Sequence, residues 1–476
     1  MKSVIGRNRE ILQMEELKSS PKSEFVAVYG RRRVGKTFLI RQIFEKEFVF
    51  QMTGLANAKL QWQFNNFENA MLRQNPSYQK VNTKLSWQDA FEEIIKFAET
   101  STKSKKVIFI DELPWLDTPN SGFMSALEHF WNSWASARTD IILIVCGSAA
   151  SWMIKKLLNN RGGLHNRVTK RIKLEPFSIY ETDLFLKSKG AVYEPYQTAQ
   201  LYMALGGIPF YLEIVDTSKS ATQNINKLFF EAEGALKTEF NMLYDSLFKK
   251  ANDHIAIIEA LATKTKGLSR NDLIKSAKIN NGGGTTTTLD ELEQCGFIRK
   301  YNAYGKKTRN QLYQLIDFYS LFYLRFVKNT SIMDEAKWLS GIDNPEIRTW
   351  SGYAFEMLCL HHVKEIKHKL GISGISTNTA SWHSTDSKEK TQIDLLIDRR
   401  DGIINICEMK FSINEFVISK KYAEEIRNKI YQFKEQSKTK KSLFFTMITT
   451  FGVARNEYSG SFVQNSIVLE DLFTAV

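Results

Sequence analysis

Gly30-Arg31-Arg32-Arg33-Val34-Gly35-Lys36-Thr37 is the stretch on which the fold turns. It matches G-x-x-x-x-G-K-[ST], and its flanks are those the mechanism requires. Phe25 to Tyr29 is a β-branched and aromatic run that reads as a strand. Lys36 to about Glu45 reads as a helix, with Phe38 continuing the block. Glycines at both ends let backbone N–H groups close around phosphate oxygens, and the helix N-terminus adds a favourable dipole. Lys36 would reach the β- and γ-phosphates, and the Thr37 hydroxyl would ligate magnesium. ATP and Mg2+ are therefore the cofactors expected.

Working outward, strands and helices alternate through the first third. Glu47 to Met52 is a second short apolar run, and Ser86-Trp87-Gln88-Asp89 has the spacing of a capping box. Val107 to Ile110 and Ile141 to Val145 are unbroken apolar runs, which fits strands covered on both faces by helices. The pattern predicts an α/β fold with a parallel sheet. Val107-Ile108-Phe109-Ile110 ends in Asp111 and Glu112. Two acids at a buried strand end are costly without a cation, so Asp111 would hold the magnesium shell and Glu112 would orient or deprotonate water.

These blocks resemble the archaeal ATPase family, an AAA+-type group within the wider STAND-like branch of P-loop NTPases. Ile5-Gly6-Arg7-Asn8-Arg9-Glu10 resembles its N-terminal GRxxE box, which implies nucleotide contacts from Gly6 and Arg7. Gly30 to Thr37 resembles Walker A, and Asp111-Glu112-Leu113-Pro114-Trp115-Leu116 resembles Walker B with its following loop. Cys146-Gly147-Ser148 stands where the family has a polar sensor, which points to Ser148. Gly207-Ile208-Pro209 resembles the GxP motif of a helical lid, so Pro209 joins the nucleotide set. Arg167 matches the first arginine of an L-Y-G-R-R-T stretch. His165, Asn166 and Val168 depart from it, so a structural salt bridge is as good a reading of Arg167 as an arginine finger. Arg31, Arg32 and Arg33 occupy the variable loop positions, where solvated side chains are expected.

After a mostly helical stretch, three short helices near 255–262, 270 onward and 285–295 precede two short strands and a basic loop with Lys306, Lys307 and Arg309. That is the winged-helix pattern. Its third helix carries Asp290, Glu291 and Glu293, an acidic face that disfavours phosphate contact and favours a structural or protein-contact role.

The tail carries a second constellation: Asp394 on one strand, then Glu408-Met409-Lys410 on the next. Strand alternation puts Glu408 and Lys410 on one face. This resembles the PD-(D/E)xK nuclease-like domain found at the C-terminus of many archaeal ATPase family members. The resemblance implies metal ligation by Asp394, Glu408 and Glu356, with Lys410 activating water or stabilising developing charge. An alternating charge pattern is equally the mark of a solvated strand face.

At 476 residues the chain has room for several domains. The expected division is an ATPase core (1–175), a helical lid (176–248), a winged helix (249–330) and an α/β restriction-endonuclease-like domain (340–476). The surplus of 65 Lys and Arg over 52 Asp and Glu gives a net charge of +13, compatible with nucleic acid but equally with solvated lysine faces. Four scattered cysteines argue against a disulfide scaffold and a thiolate zinc site. No apolar run is long enough for a membrane helix, and the expected location is cytoplasmic. Two functions follow. One is a Mg-dependent ATPase coupled to DNA binding or cleavage by the tail. The other is a nucleotide-dependent switch or scaffold with a catalytically silent, protein-binding tail. A homo-oligomer or protein partner is compatible with either.

Overall fold

Gly30 follows the strand Glu24–Tyr29 of the first sheet at a φ of 146°, and a Cβ there would stand 2.2 Å from the Leu174 carbonyl oxygen. Only glycine fits, because both the dihedral and the space exclude a side chain. Gly30→Ala is expected to cost about 3 kcal/mol, read as a lowered thermal midpoint of the first unit without nucleotide.

The computed structural model describes residues 4–80, 85–159, 162–248, 250–305, 311–330, 335–341, 344–384 and 391–476. The expected wing residues Lys306, Lys307 and Arg309 lie outside these. The chain divides into two compact units, Met1–Pro176 and Phe177–Val476.

The first unit holds β1 (Glu24–Tyr29), β2 (Phe48–Thr53), β3 (Lys106–Asp111), β4 (Ile141–Gly147) and β5 (Lys170–Lys173), ordered β2-β3-β4-β1-β5 and parallel throughout. Every residue of β3 and β4 is buried, as their unbroken apolar runs imply. The helix Trp87–Thr100 opens with the expected capping box, Ser86 and Asp89 serving each other reciprocally. The outer edge of β2 is blunted by side chains. Gln74 pairs with both the N–H and C=O of Gln51 (2.8 and 2.9 Å), and Asn66 and Lys103 cover the carbonyls of Thr53 and Phe48. An open edge would otherwise template pairing with another chain.

In the second unit, helices run from Ile179 to Leu247. The helices Asn252–Ala262, Arg270–Ala277 and Gly283–Gln294 then pack with a small antiparallel sheet of β6 (Leu268–Ser269), β7 (Ile298–Tyr301) and β8 (Leu312–Leu315), ordered β6-β8-β7. The expected repulsive face on the third helix is altered by pairing. Lys300 bridges Asp290 and Glu293 at 2.8 and 2.7 Å, Glu291 meets His254 at 3.0 Å, and Thr285 and Thr288 are buried.

A single helix is expected from Trp350 to Lys367, but it is split into Pro345–His361 and Val363–Lys369. His362 sits between them, fully engaged: Nδ1 donates to the Leu358 carbonyl (2.8 Å) and Nε2 accepts from the Ile179 N–H (2.9 Å). The final sheet contains β9 (Thr377–His383), β10 (Gln392–Arg399), β11 (Ile403–Lys410), β12 (Ser442–Thr449) and β13 (Asn465–Val468), ordered β13-β12-β11-β10-β9. The first three strands are antiparallel, and β11, β12 and β13 run parallel. The helix Lys420–Ser437 buries Ala423, Ile426 and Phe433.

Candidate functional site

Placement of β4 between β1 and β3 decides the geometry of the first site. Tyr29 is level with Gly147, so Gly30 and Ser148 leave the sheet side by side, with Asp111 at the end of the neighbouring strand. A polar residue just beyond β4 must therefore fall between the loop and the acids.

Lys36 is buried, and its Nζ donates to the carbonyls of Gly30 (2.9 Å) and Arg31 (2.8 Å) and to Ser148 Oγ (3.0 Å). Ser148 in turn donates from Oγ to Glu112 Oε1 (2.5 Å), and its N–H donates to Glu112 Oε2 (3.2 Å). Thr37 Oγ1 donates to Asp111 Oδ2 at 2.8 Å, while Asp111 Oδ1 accepts from the Glu112 N–H at 3.0 Å. Lys36, Thr37, Asp111, Glu112 and Ser148 thus form one network. Glu112 has φ 50°, an unusual backbone conformation for a residue with a side chain. Behind it, Gln63 is fully buried and ties Leu55 to Trp115, donating at 2.7 and 3.1 Å, so the loops after β2 and β3 are joined.

Gly6 and Arg7 have φ of 66° and 60°, a turn that swings the buried Arg7 guanidinium onto the Val34 carbonyl (3.2 Å). The N-terminal box therefore touches the loop between Gly30 and Gly35. Of the variable loop positions, Arg32 is exposed and Arg33 is half-buried with φ 69°. Arg31 corrects the expectation of a solvated side chain: it is 4% exposed, because the loop folds it inward. Phe38 is 44% exposed on the helix Lys36–Phe44. Arg167 is exposed and forms no ion pair among the described residues, so the salt-bridge reading finds no partner there. Pro209 opens the short helix Pro209–Glu213 of the second unit, after Gly206 and Gly207 in left-handed conformations.

The donor set suits the expected groups. A hydroxyl and a carboxylate in direct contact offer the hard oxygens magnesium takes, and that ion characteristically uses one or two protein oxygens beside substrate phosphates. The loop closes around a lysine ammonium, the group that would meet those phosphates.

Residues 5–215 match the family model described as an ATPase domain predominantly from Archaea. This is a P-loop ATPase fold. The chain is similar to the uncharacterized protein MJECL04 of Methanocaldococcus jannaschii, 24% identical over 366 residues, covering 76% of this chain and 77% of the other. Among solved structures, the Walker-type ATPase PABY2304 of Pyrococcus abyssi superposes with a TM-score of 0.51 at 17% identity, covering 68% of this chain and 96% of that one. The ORC2 protein of Aeropyrum pernix, in ADPNP-ADP complexes, gives a TM-score of 0.41 at 14% identity, covering 72% and 98%.

The tail brings its expected residues together around β10 and β11. Continuing the Leu395–Cys407 register by one step sets Asp394 opposite Glu408. Burial, followed by the charge of Asp394, pushes the Glu356 carboxyl up to about 8. Burial and then Glu408 raise Asp394, whose carboxylate accepts from the Gln392 amide. Burial alone would also raise Glu408, but Lys429 and Lys410 outweigh it and hold that carboxyl below its usual range. Lys410 lies 3.1 Å from Glu408 Oε1, Lys429 lies 2.6 Å from Oε2, and Tyr422 donates to Oε1 at 2.8 Å.

Glu356, Asp394 and Glu408, the expected metal ligands, lie within electrostatic reach of one another. Among the described residues no group of three or more His, Cys, Asp or Glu side chains is arranged to hold a metal ion. Glu408 is engaged on both oxygens by protein cations and a phenol instead. As arranged, both Glu408 oxygens are taken by other groups and are not offered to a metal. Tyr422 and Lys429 were missed from sequence. Their i, i+7 spacing on the helix Lys420–Ser437 was the available signal, since it sets both on one face.

Proposed function

We propose that this protein is a Mg-dependent ATPase of the AAA+/STAND-like class, with its nucleotide site at Gly30 to Thr37. The observation that carries this is the single network joining Lys36, Ser148 and Glu112 beside the Thr37–Asp111 pair. Magnesium, when bound, neutralises charge on the β- and γ-phosphates. Thr37 and Asp111 would hold it. Lys36 exchanges its loop carbonyls for phosphate oxygens, and Glu112, held by Ser148, takes the proton of the attacking water. Arg7 fixes the loop from outside the sheet. Purified protein is expected to release phosphate from ATP with magnesium and to release none in EDTA. Equal release in both would sink the proposal.

For the tail, the gathering of acids and lysines favours nucleic-acid contact over a solvated strand face. With Glu408 internally paired, binding is the reading supported, and cleavage is not. The helices and hairpin between 249 and 330 follow the winged-helix pattern and serve this reading as the neighbour of the carboxylate crevice. A catalytically silent, protein-binding tail is the alternative, and oligonucleotide binding decides between them.

A further inference from the structure

Two cations on the segment before the C-terminal sheet lie within electrostatic reach of its carboxylates. Lys266 lies in the turn after the helix Asn252–Ala262, where its carbonyl accepts from the Tyr301 hydroxyl at 2.5 Å. Its ammonium favours the charged forms of both Glu356 and Asp394. Arg299, on β7, is fixed by Gln314, whose Oε1 accepts from Nε and Nη2 at 2.8 and 2.6 Å. The guanidinium stacks on Tyr301 at 5.0 Å and lies within electrostatic reach of Tyr353 and Asp394.

These cations are held in place. The Tyr304 N–H donates to the Ser381 carbonyl (2.7 Å), Ala303 bridges Ser381, and the Tyr304 ring meets Phe433 edge-on at 5.3 Å. The hairpin is thereby clipped to the outer strand β9. Across the crevice, Lys410 packs over the Tyr422 ring at 5.2 Å, and Lys429 pairs with Glu408. Four cations therefore surround three acids. These side chains reach solvent: Lys266 is exposed, and Glu356, Asp394 and Lys410 are half-buried.

Carboxylates alone would repel a phosphate backbone. A cationic wall opposite them changes the sign of the field that an approaching polyanion meets. We propose that Lys266, positioned beside the fixed Arg299, supplies the phosphate-contacting wall of the C-terminal crevice, so that a phosphodiester strand is held between the hairpin segment and the sheet. This rests on the reading of the tail as a nucleic-acid contact. It adds that the tail is incomplete without residues from the preceding segment.

Fluorescence anisotropy on the full chain in EDTA tests this, with a labelled single-stranded oligonucleotide and its duplex as separate probes. EDTA separates binding from any metal-dependent cleavage. Wild type is expected to bind at least one probe. Lys266→Ala is expected to weaken that binding about fivefold and to reduce the slope of log affinity against log salt by about 1, while Lys266→Arg restores both. Retained ATP binding and an unchanged melting temperature would show that Lys266→Ala folds. Equal affinity and equal slope for wild type and Lys266→Ala would overturn the proposal and leave tail binding standing. Failure of wild type to bind either probe would overturn both.

Discussion

Lys36→Ala is expected to abolish measurable ATP binding. The Lys36 ammonium is buried and makes three hydrogen bonds, two to the loop's own carbonyls and one to Ser148. A charged donor in that setting contributes about 1.5–3 kcal/mol per bond to a phosphate oxygen. Two such bonds lost correspond to about 3–6 kcal/mol, or roughly a 10²- to 10⁴-fold drop in affinity. Isothermal titration would register it as absent heat. Lys36→Met, which keeps the stem without the charge, is expected to behave alike. That separates the missing ammonium from a collapsed loop. Wild-type affinity in both variants would exclude Gly30 to Thr37 as the phosphate site.

Much of the first unit could be read from sequence because its signals are local. The unbroken apolar runs of β3 and β4 report burial on both faces, and the glycine loop reports a backbone only glycine tolerates at Gly30. Ser148 was legible through the family resemblance, which has a polar sensor at that position. The helix Leu60–Gln74 lacks a side-chain cap to mark its start, and its only signal is the helical spacing of the buried Phe64, Phe67, Ala70 and Met71. Arg31 was misread because burial of an arginine depends on how the loop folds over it. In the tail, Asp394, Glu408 and Lys410 were legible because strand alternation is local. The partners that change their chemistry, Lys429 and Tyr422, sit on a helix far along the chain. Lys266 and Arg299 lie more than a hundred residues before Glu408. What surrounds a charge is a long-range property, and it decides whether a carboxylate is offered to a metal or neutralised by a lysine.

Glu112→Gln is expected to leave ATP binding near wild type and to lower the hydrolysis rate about 10²- to 10³-fold, within the range for loss of a general base. The glutamine amide oxygen can still accept from the Ser148 hydroxyl, so the stronger of the two anchoring bonds survives, while the longer one from the Ser148 N–H is lost. Its NH2 group cannot take a proton, so only the chemical step suffers. Ser148→Ala makes the complementary case. It leaves the Glu112 carboxylate intact but removes the hydroxyl that Glu112 accepts from at 2.5 Å and that itself accepts from Lys36 at 3.0 Å. As a positioning residue, Ser148 is expected to cost about tenfold in kcat with little change in KM. Phosphate release measured across the two variants ranks base against anchor. If Glu112→Gln hydrolysed ATP at the wild-type rate while Ser148→Ala did not, Glu112 would be only the anchor for Ser148, and the proton would have to leave water by another route.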